Sequence, residues 1–258
     1  MTNETIFAEE RQNKIMAELK DKNKLLVNEL CEKFGVSSAT IRNDLNQLEK
    51  RGMLKRTHGG AIPSGKAGFE PTSVEKTEVN RTQKERIARR AANLIENGDT
   101  VAIDTGTTAL CLARELSGKR GVTVVTSDIR IACLLEEYAG ITVIIAGGTL
   151  RRGFSCTIGA MTNSALKKLR VDKAFIATNA VNSSGELCTP DIEQAQVKKS
   201  LIDMATSVIL ICDSSKFGAQ SFAKFAALSD VDAVITDNGI DGATLEKLNK
   251  MNIDIEVV

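Results

Sequence analysis

Phe34-Gly35-Val36-Ser37-Ser38-Ala39-Thr40-Ile41-Arg42-Asn43-Asp44-Leu45 is the stretch that decides how this 258-residue chain is read. Gly35 is placed to end one helix and Ser37 to cap the next, so the run predicts the tight turn and second helix of a helix-turn-helix. On a helical wheel begun at Ile41, Leu45 and Leu48 share one face, whereas Ala39, Arg42, Asn43, Asn46 and Lys50 point the other way. The outward face has no large apolar group and is short of acids. Together with Ser38 and Thr40 it lies where a recognition helix reaches base edges, with Arg42 suited to guanine and Asn43 to adenine. A solvated helix face has a similar composition, and that alternative stays open at this point.

Downstream, Met53-Leu54-Lys55-Arg56-Thr57-His58-Gly59-Gly60-Ala61-Ile62 is two short apolar-edged runs around a Gly-Gly pair, which predicts a small β-hairpin or wing. From Arg42 to Arg56 there are five bases (Arg42, Lys50, Arg51, Lys55, Arg56) against two acids (Asp44, Glu49). That local excess suits phosphate, and Lys55, Arg56 and His58 are the wing residues expected to hold it. Upstream, Ile15 and Leu19 give a first helix its stripe from about Glu9 to Lys20; Val27, Leu30, Cys31 and Phe34 give a second. The expectation is a winged helix-turn-helix domain over residues 1–62, with the helix-turn-helix at about 24–51 and the wing at 53–62. A unit of about sixty residues is below the size at which a core is comfortably stable, so tethering to a larger body is expected.

Composition limits the partner. The chain is 42% hydrophobic and 26% charged with a formal net charge of +1, so any pull on nucleic acid is local rather than global. Aromatic residues are only 3% and Trp is absent, which argues against a stacking platform for single strands and leaves double-stranded DNA. Six scattered cysteines without a C-x-x-C spacing, and a single histidine, give no metal-site pattern; the cysteines read as small buried hydrophobes. No metal and no cofactor are expected. Nothing resembles a signal peptide or a membrane span, so a cytoplasmic, membrane-free protein is expected.

Pro63-Ser64-Gly65-Lys66-Ala67-Gly68 opens a turn-rich linker assigned to residues 63–79. A basic helix follows from Asn80 to Glu96, with Arg86, Arg89 and Arg90 off its apolar stripe on a solvated or interdomain face. The pattern then alternates. Thr100–Asp104, Val122–Thr126, Ile141–Ile145, Lys173–Ala177, Val208–Cys212 and Ala233–Thr236 are short, apolar and β-branched, with amphipathic helices between most of them. This predicts an α/β body over residues 80–258, built on a mainly parallel sheet with ligands at the carboxyl ends of its strands.

Those ends hold the candidate ligand residues. Asp104-Thr105-Gly106-Thr107-Thr108 fits a phosphate cradle at a helix N-terminus, or an ordinary strand-to-helix turn; it is neither a Walker A loop nor a dinucleotide fingerprint. Thr126 and Ser127, Gly147 and Gly148, and Asn179 supply small backbones, hydroxyls and an amide. Arg151 and Lys216 supply positive charge, with balancing Asp213 as the alternative role for Lys216. Glu193 and Lys198 lie on a helix able to reach the same mouth, or on a solvated helical face.

Two sets of motifs carry a resemblance. Arg11-x3-Ile15-x3-Leu19, Ser37-x2-Thr40-Ile41-Arg42-Asn43-Asp44-Leu45 and His58-Gly59-Gly60-Ala61 resemble the N-terminal domain of the DeoR family of bacterial repressors. Asp104–Thr108, Gly147-Gly148-Thr149-Leu150-Arg151, Thr189-Pro190, Glu193-x-Ala195-x-x-Lys198 and Asp213–Gly218 resemble that family's sensor domain, in the same order. The resemblance implies a sensor related in fold to ribose-5-phosphate isomerase and a phosphorylated sugar or polyol as effector. It also implies a repressor of a sugar-metabolism operon. Matching two half-sites requires a homo-oligomer, a dimer or tetramer. Ser127-Asp128 stands where the family often has Asn-Ser, and Ala177 and Ala180 replace common glycines, which implies an altered pocket. The competing expectation is a sugar-phosphate isomerase using Asp104, Glu193 or Asp213 as base and Lys216 as electrostatic partner.

Overall fold

The computed structural model describes residues 7–22, 24–51, 53–57, 59–63, 70–251 and 253–258. The chain divides into two compact units, Met1–Pro71 and Thr72–Val258.

In the first unit, α1 (Ala8–Lys22) leads into a two-residue strand β1 (Leu25–Leu26), then α2 (Val27–Phe34) and α3 (Ser38–Lys50). β2 (Leu54–Thr57) and β3 (Gly60–Pro63) form the wing hairpin. β1 was not anticipated: it pairs antiparallel with β3, Leu25 opposite Ala61 and Leu26 opposite Gly60, so the wing is a three-stranded sheet in the order β1-β3-β2. The close approach explains the second glycine of the pair. A Cβ on Gly60 would stand 1.7 Å from the Leu25 carbonyl oxygen, whereas one on Gly59 would meet nothing. Ile15, Leu19, Leu30, Ile41, Leu45 and Leu48 are buried together beneath the sheet's Leu25, Leu54 and Ala61. The stripes that defined the helices are therefore the core.

The second unit begins with a short helix α4 (Ser73–Thr77), inside the stretch expected to be linker. Its start is a capping box: Thr72 Oγ1 accepts from the Glu75 amide, and the Thr72 amide donates to Glu75 Oε2 at 2.8 Å. The Thr-x-x-Glu spacing is a visible signal that the turn-rich composition upstream obscured. α5 (Arg81–Asn93) follows, then β4 (Thr100–Ile103), α6 (Thr107–Arg114), β5 (Val122–Thr126), α7 (Ile129–Glu136) and β6 (Ile141–Ile145). A hairpin of β7 (Thr149–Arg151) and β8 (Cys156–Ile158) leads to α8 (Ala160–Leu166) and β9 (Val171–Ile176). β10 (Ala180–Val181), β11 (Glu186–Thr189), α9 (Ile192–Asp203) and β12 (Ala205–Ile211) come next. The chain ends with β13 (Ala223–Ala227), β14 (Ala233–Thr236), α10 (Gly242–Lys250) and β15 (Asp254–Val257).

Seven strands form one parallel sheet in the order β15-β14-β12-β9-β4-β5-β6. In the central strands side chains alternate between two cores, as both-face burial requires, whereas β6 is an edge strand with Ile144 and Ile145 exposed. Val101, Ile103, Phe175, Ile209 and Ile211 join the cluster that also contains Ile87 of α5, Leu112 of α6 and Leu135 of α7. Ala102, Ala174, Ile176, Val208 and Leu210 join the cluster that contains Leu201 of α9 and Leu248 of α10. β10, β11 and β13 make a separate small antiparallel sheet. The arginines of α5 were expected to face solvent or the other unit. Instead Arg90 is ion-paired to Glu256 on β15 and Arg86 donates to Asn238 Oδ1 at 3.2 Å, while Arg89 is exposed. Arg90 and Arg86 brace that side of the sheet, and Arg89 keeps the solvated position expected of it. Cys111, Cys156, Cys188 and Cys212 are buried, Cys31 is partly buried and Cys133 is exposed. No helix among the described residues is long and apolar enough to cross a membrane.

Candidate functional sites

The outward face of α3 is set by what is bonded beneath it. Gly35, at φ 63°, ends α2, and Ser37 then caps α3, its Oγ accepting from the Thr40 amide at 3.1 Å. Ser38, Ala39, Arg42 and Asn43 are exposed, and Thr40 is partly so, its hydroxyl 2.9 Å from Ser37 Oγ. Asp44, one of the two acids counted against the local charge, is buried. Arg11 Nε donates to its Oδ2 at 2.6 Å, and Arg11 and Gln12 both donate to its Oδ1. Sequence reasoning missed this pair. It removes an acid from the reading face and fixes α3 on α1.

In the wing Lys55 is exposed and Arg56 is half-buried. The Arg56 guanidinium donates to Asn46 Oδ1, and its amide donates to Glu49 Oε1 at 2.8 Å, so α3 and the wing are cross-linked through two candidate DNA residues. The candidate His58 lies outside the described residues.

The second site follows from sheet topology. From β4 the chain moves outward through β5 and β6; from β9 it moves the other way through β12, β14 and β15. β4 and β9 are neighbours, so their carboxyl ends flank the switch point where α/β sheets open a crevice. Asp104, at the end of β4, is fully buried. Its Oδ1 accepts from the Thr105 amide at 2.8 Å, and its Oδ2 accepts from the Ala177 amide at 3.0 Å and from Lys198 Nζ. Lys198 also donates to the Ala177 carbonyl at 2.9 Å and is 2% exposed, so it is buried beneath the strand ends and not on a solvated face.

Asp128, which the sequence marks only as an acid altering the pocket, has a structural role there. Its Oδ2 accepts from Thr105 Oγ1 at 2.8 Å and from the Gly106 amide at 3.4 Å, while Oδ1 caps α7 through the Arg130 and Ile131 amides. Burial raises its pKa, against these hydrogen bonds. The acid that departs from the family pattern thus holds the Thr105-Gly106 loop in place. Thr107 and Thr108 are buried in the first turn of α6, whose N-cap is Gly106 and has no side-chain cap. Thr126 is buried with its Oγ1 accepting from the Asp128 amide at 3.1 Å; Ser127 is buried and its Oγ has no hydrogen-bond partner among the described residues.

Arg151 approaches from the β7–β8 hairpin. It donates to Gln194 Oε1 at 2.6 Å, lies 3.5 Å from Asp191 Oδ2, and stacks over the Phe154 ring at 3.8 Å from its centroid. Cys156 on β8 links this group to that buried cluster: its thiol lies near Thr105, Asp128, Arg151 and Asp104, and burial pushes it up to about 11. Gly147 and Gly148 are exposed, and Gly148 has a packing reason to be glycine, since a Cβ there would lie 2.1 Å from Thr162 Oγ1. Asn179 Oδ1 accepts from Thr189 Oγ1 at 3.0 Å, and Glu193 is exposed beside Gly159. Asp213 is buried and accepts from Asn80 Nδ2 at 2.8 Å and from Ser215. Lys216 Nζ is 3.9 Å from Asp213 Oδ2, a loose pairing for a partly exposed amine.

A winged helix-turn-helix followed by an α/β body with a buried polar cluster at its strand switch defines a DNA-binding regulator with a sensory module. Residues 11–64 match the DeoR-like helix-turn-helix domain and residues 79–238 match the DeoR C terminal sensor domain; the chain belongs to the DeoR family of transcriptional regulators. It is 35% identical over 246 residues to the HTH-type transcriptional regulator GlpR of Haloferax volcanii, covering 95% of this chain and 96% of that one. It is 34% identical over 243 residues to the lactose phosphotransferase system repressor of Lactococcus lactis, covering 93% and 95%. The glycerol-3-phosphate regulon repressor of Escherichia coli K12 is 32% identical over 249 residues, covering 96% and 98%. Among solved structures, a ribose 5-phosphate isomerase A from Methanocaldococcus jannaschii is 20% identical, covering 54% of this chain and 55% of that one with a TM-score of 0.40.

Proposed function

We propose that this chain is a cytoplasmic repressor of a carbohydrate-utilisation operon, released from its operator by a phosphorylated sugar or polyol. Arg42 and Asn43 read base edges from the exposed face of α3, while Lys55 and Arg56 hold backbone phosphate. The effector's phosphate lies against the first turn of α6, with Arg151 or Lys216 supplying charge, and Ser127 offers a hydroxyl unpartnered among the described residues. Two heads in a homo-oligomer engage two half-sites, and the effector acts by favouring an arrangement that no longer matches them.

The observation that favours the sensory reading over the isomerase reading is the state of two of the three candidate bases, Asp104 and Asp213. Asp104 is fully buried and bonded to Lys198 and two amides, and Asp213 is buried against Asn80 and Ser215. Both are engaged with protein groups and shielded from solvent, which counts against them as general bases, whereas Glu193, the third candidate, is exposed. A panel of sugar and polyol phosphates tests this by thermal shift, turnover and operator release on the same protein. Stabilisation and release without product is expected. Product formation would replace this reading with the enzyme, and absence of any shift would leave a body that only oligomerises.

A further inference from the structure

The segment from Thr72 to Asn80 is the covalent route from Pro71 into the sensory body, and it is fastened at both ends to loops that carry the crevice cations. At its start, the Ser73 amide donates to the Gly153 carbonyl at 3.1 Å and Ser73 Oγ donates to the Phe154 carbonyl at 3.3 Å. Phe154 is the residue over which Arg151 stacks, and Lys76 Nζ sits 5.5 Å from the same ring. At its end, Asn80 Nδ2 donates to Asp213 Oδ1 at 2.8 Å and to Ser215 Oγ at 3.3 Å, in the loop of Lys216. Between the two, buried Lys84 donates to the carbonyls of Lys76 and Val79 and fixes the turn. Asn80 holds φ 53°, a left-handed conformation that asparagine tolerates better than most residues.

We infer that Asn80 and Phe154 are positioning residues that couple occupancy of the crevice to the segment leading into the reading head. The inference rests on the sensory reading for what binds, but the coupling itself is a property of these contacts. An anion that draws Arg151 off the Phe154 ring, or Lys216 away from Asp213, changes the two loops to which the segment is tied. The segment then has two arrangements, one with its anchors closed as seen here and one with an anchor released. Linkage is reciprocal, so a head that responds to the segment biases the same loops in turn when it binds DNA.

That reciprocity gives a test needing no known effector: hydrogen exchange on the full-length protein, with and without a duplex selected by this protein from a random pool. In the wild type, duplex binding is expected to change exchange at residues 153–155 and 214–216. Asn80→Gly keeps the left-handed backbone but removes the amide, and Phe154→Leu removes the stacking surface. Each is expected to keep duplex affinity within about threefold while losing at least about fivefold of the coupling. Arg81→Ala, which alters exposed ion pairs next to Asn80, should transmit as the wild type does. Loops that ignore the duplex in the wild type, or variants that transmit unchanged, overturn the inference. A sugar-phosphate panel that yields no binder while the duplex still alters both loops removes the sensory reading and leaves the coupling standing.

Discussion

Asp44 shows how far a residue's role departs from its character on a helical wheel. It belongs to the reading helix by sequence, yet it is buried with Arg11 against α1. Removing one partner of such a pair leaves an uncompensated charge, so Asp44→Ala should destabilise the head by about 3 kcal/mol in thermal unfolding, with DNA affinity falling as a consequence. Arg42→Ala should leave that stability alone, weaken operator binding and relax preference at one base pair. Arg56→Ala should weaken every sequence alike and shallow the salt slope by about 1; equal effects of the two substitutions on specificity would overturn the assigned docking geometry. Lys84 makes a pH prediction. Burial lowers its pKa from 10.5 to about 8, with the Lys216 charge adding to the effect, so between those values the unfolded chain binds the proton that the folded body has lost. The cost of burying the charge is therefore fully present below about pH 8 and is relieved as pH rises from about 8 toward about 10.5, by up to about 1.4 kcal/mol per pH unit. Comparing denaturant midpoints of the wild type and Lys84→Met across that window checks it, since the variant should lack this component of the slope. Residue roles of this kind were only half legible. Arg42 and Asn43 are exposed as the wheel implied, but nothing in the spacing announced Arg11 as Asp44's partner or Asp128 as the clamp on Thr105, because both contacts join segments far apart in the chain.

At the scale of elements, periodicity served well where burial is one-sided or complete. The three head helices and six of the seven sheet strands follow stripes or apolar runs visible in the sequence. It failed where the signal is weaker. β15 reads Asp254-Ile255-Glu256-Val257, an alternating edge strand with none of the continuous apolar character that marked the others. β1 is two residues long, and the β7–β8 hairpin has strands of three residues without an apolar run. Gly60 tests the unexpected third strand of the wing. Gly60→Ala should cost about 2–3 kcal/mol of head stability, because the methyl must displace the Leu25 backbone. Gly59→Ala, in open space, should stay within about 0.5 kcal/mol. Similar melting behaviour of the two variants would mean that β1 does not lie against β3.

For the molecule as a whole, the informative variant separates reading from sensing. Lys216→Ala should leave operator affinity unchanged in the absence of effector, yet reduce effector-driven release by at least about tenfold in a binding titration. Normal release by this variant would place the phosphate elsewhere, for instance against Arg151. The division into a reading unit and a sensory unit was evident in the change from helical stripes to alternating strands and helices. The crevice was only partly so: its position follows from strand order, which no local pattern encodes.

That strand order also has a consequence for how the protein comes into being. The reading head is complete once Pro63 has been made, from contacts among its own residues. The crevice needs β4 to meet β9, whose last residue is Ile176, and the sheet closes only with β15 at the far terminus. A ribosome translating this message therefore releases a finished reading head well before any sensory body exists. Ribosome-stalled chains of increasing length should gain protease protection of the head first and of the switch crevice last. Until then, a nascent copy is deaf to the metabolite it is built to obey.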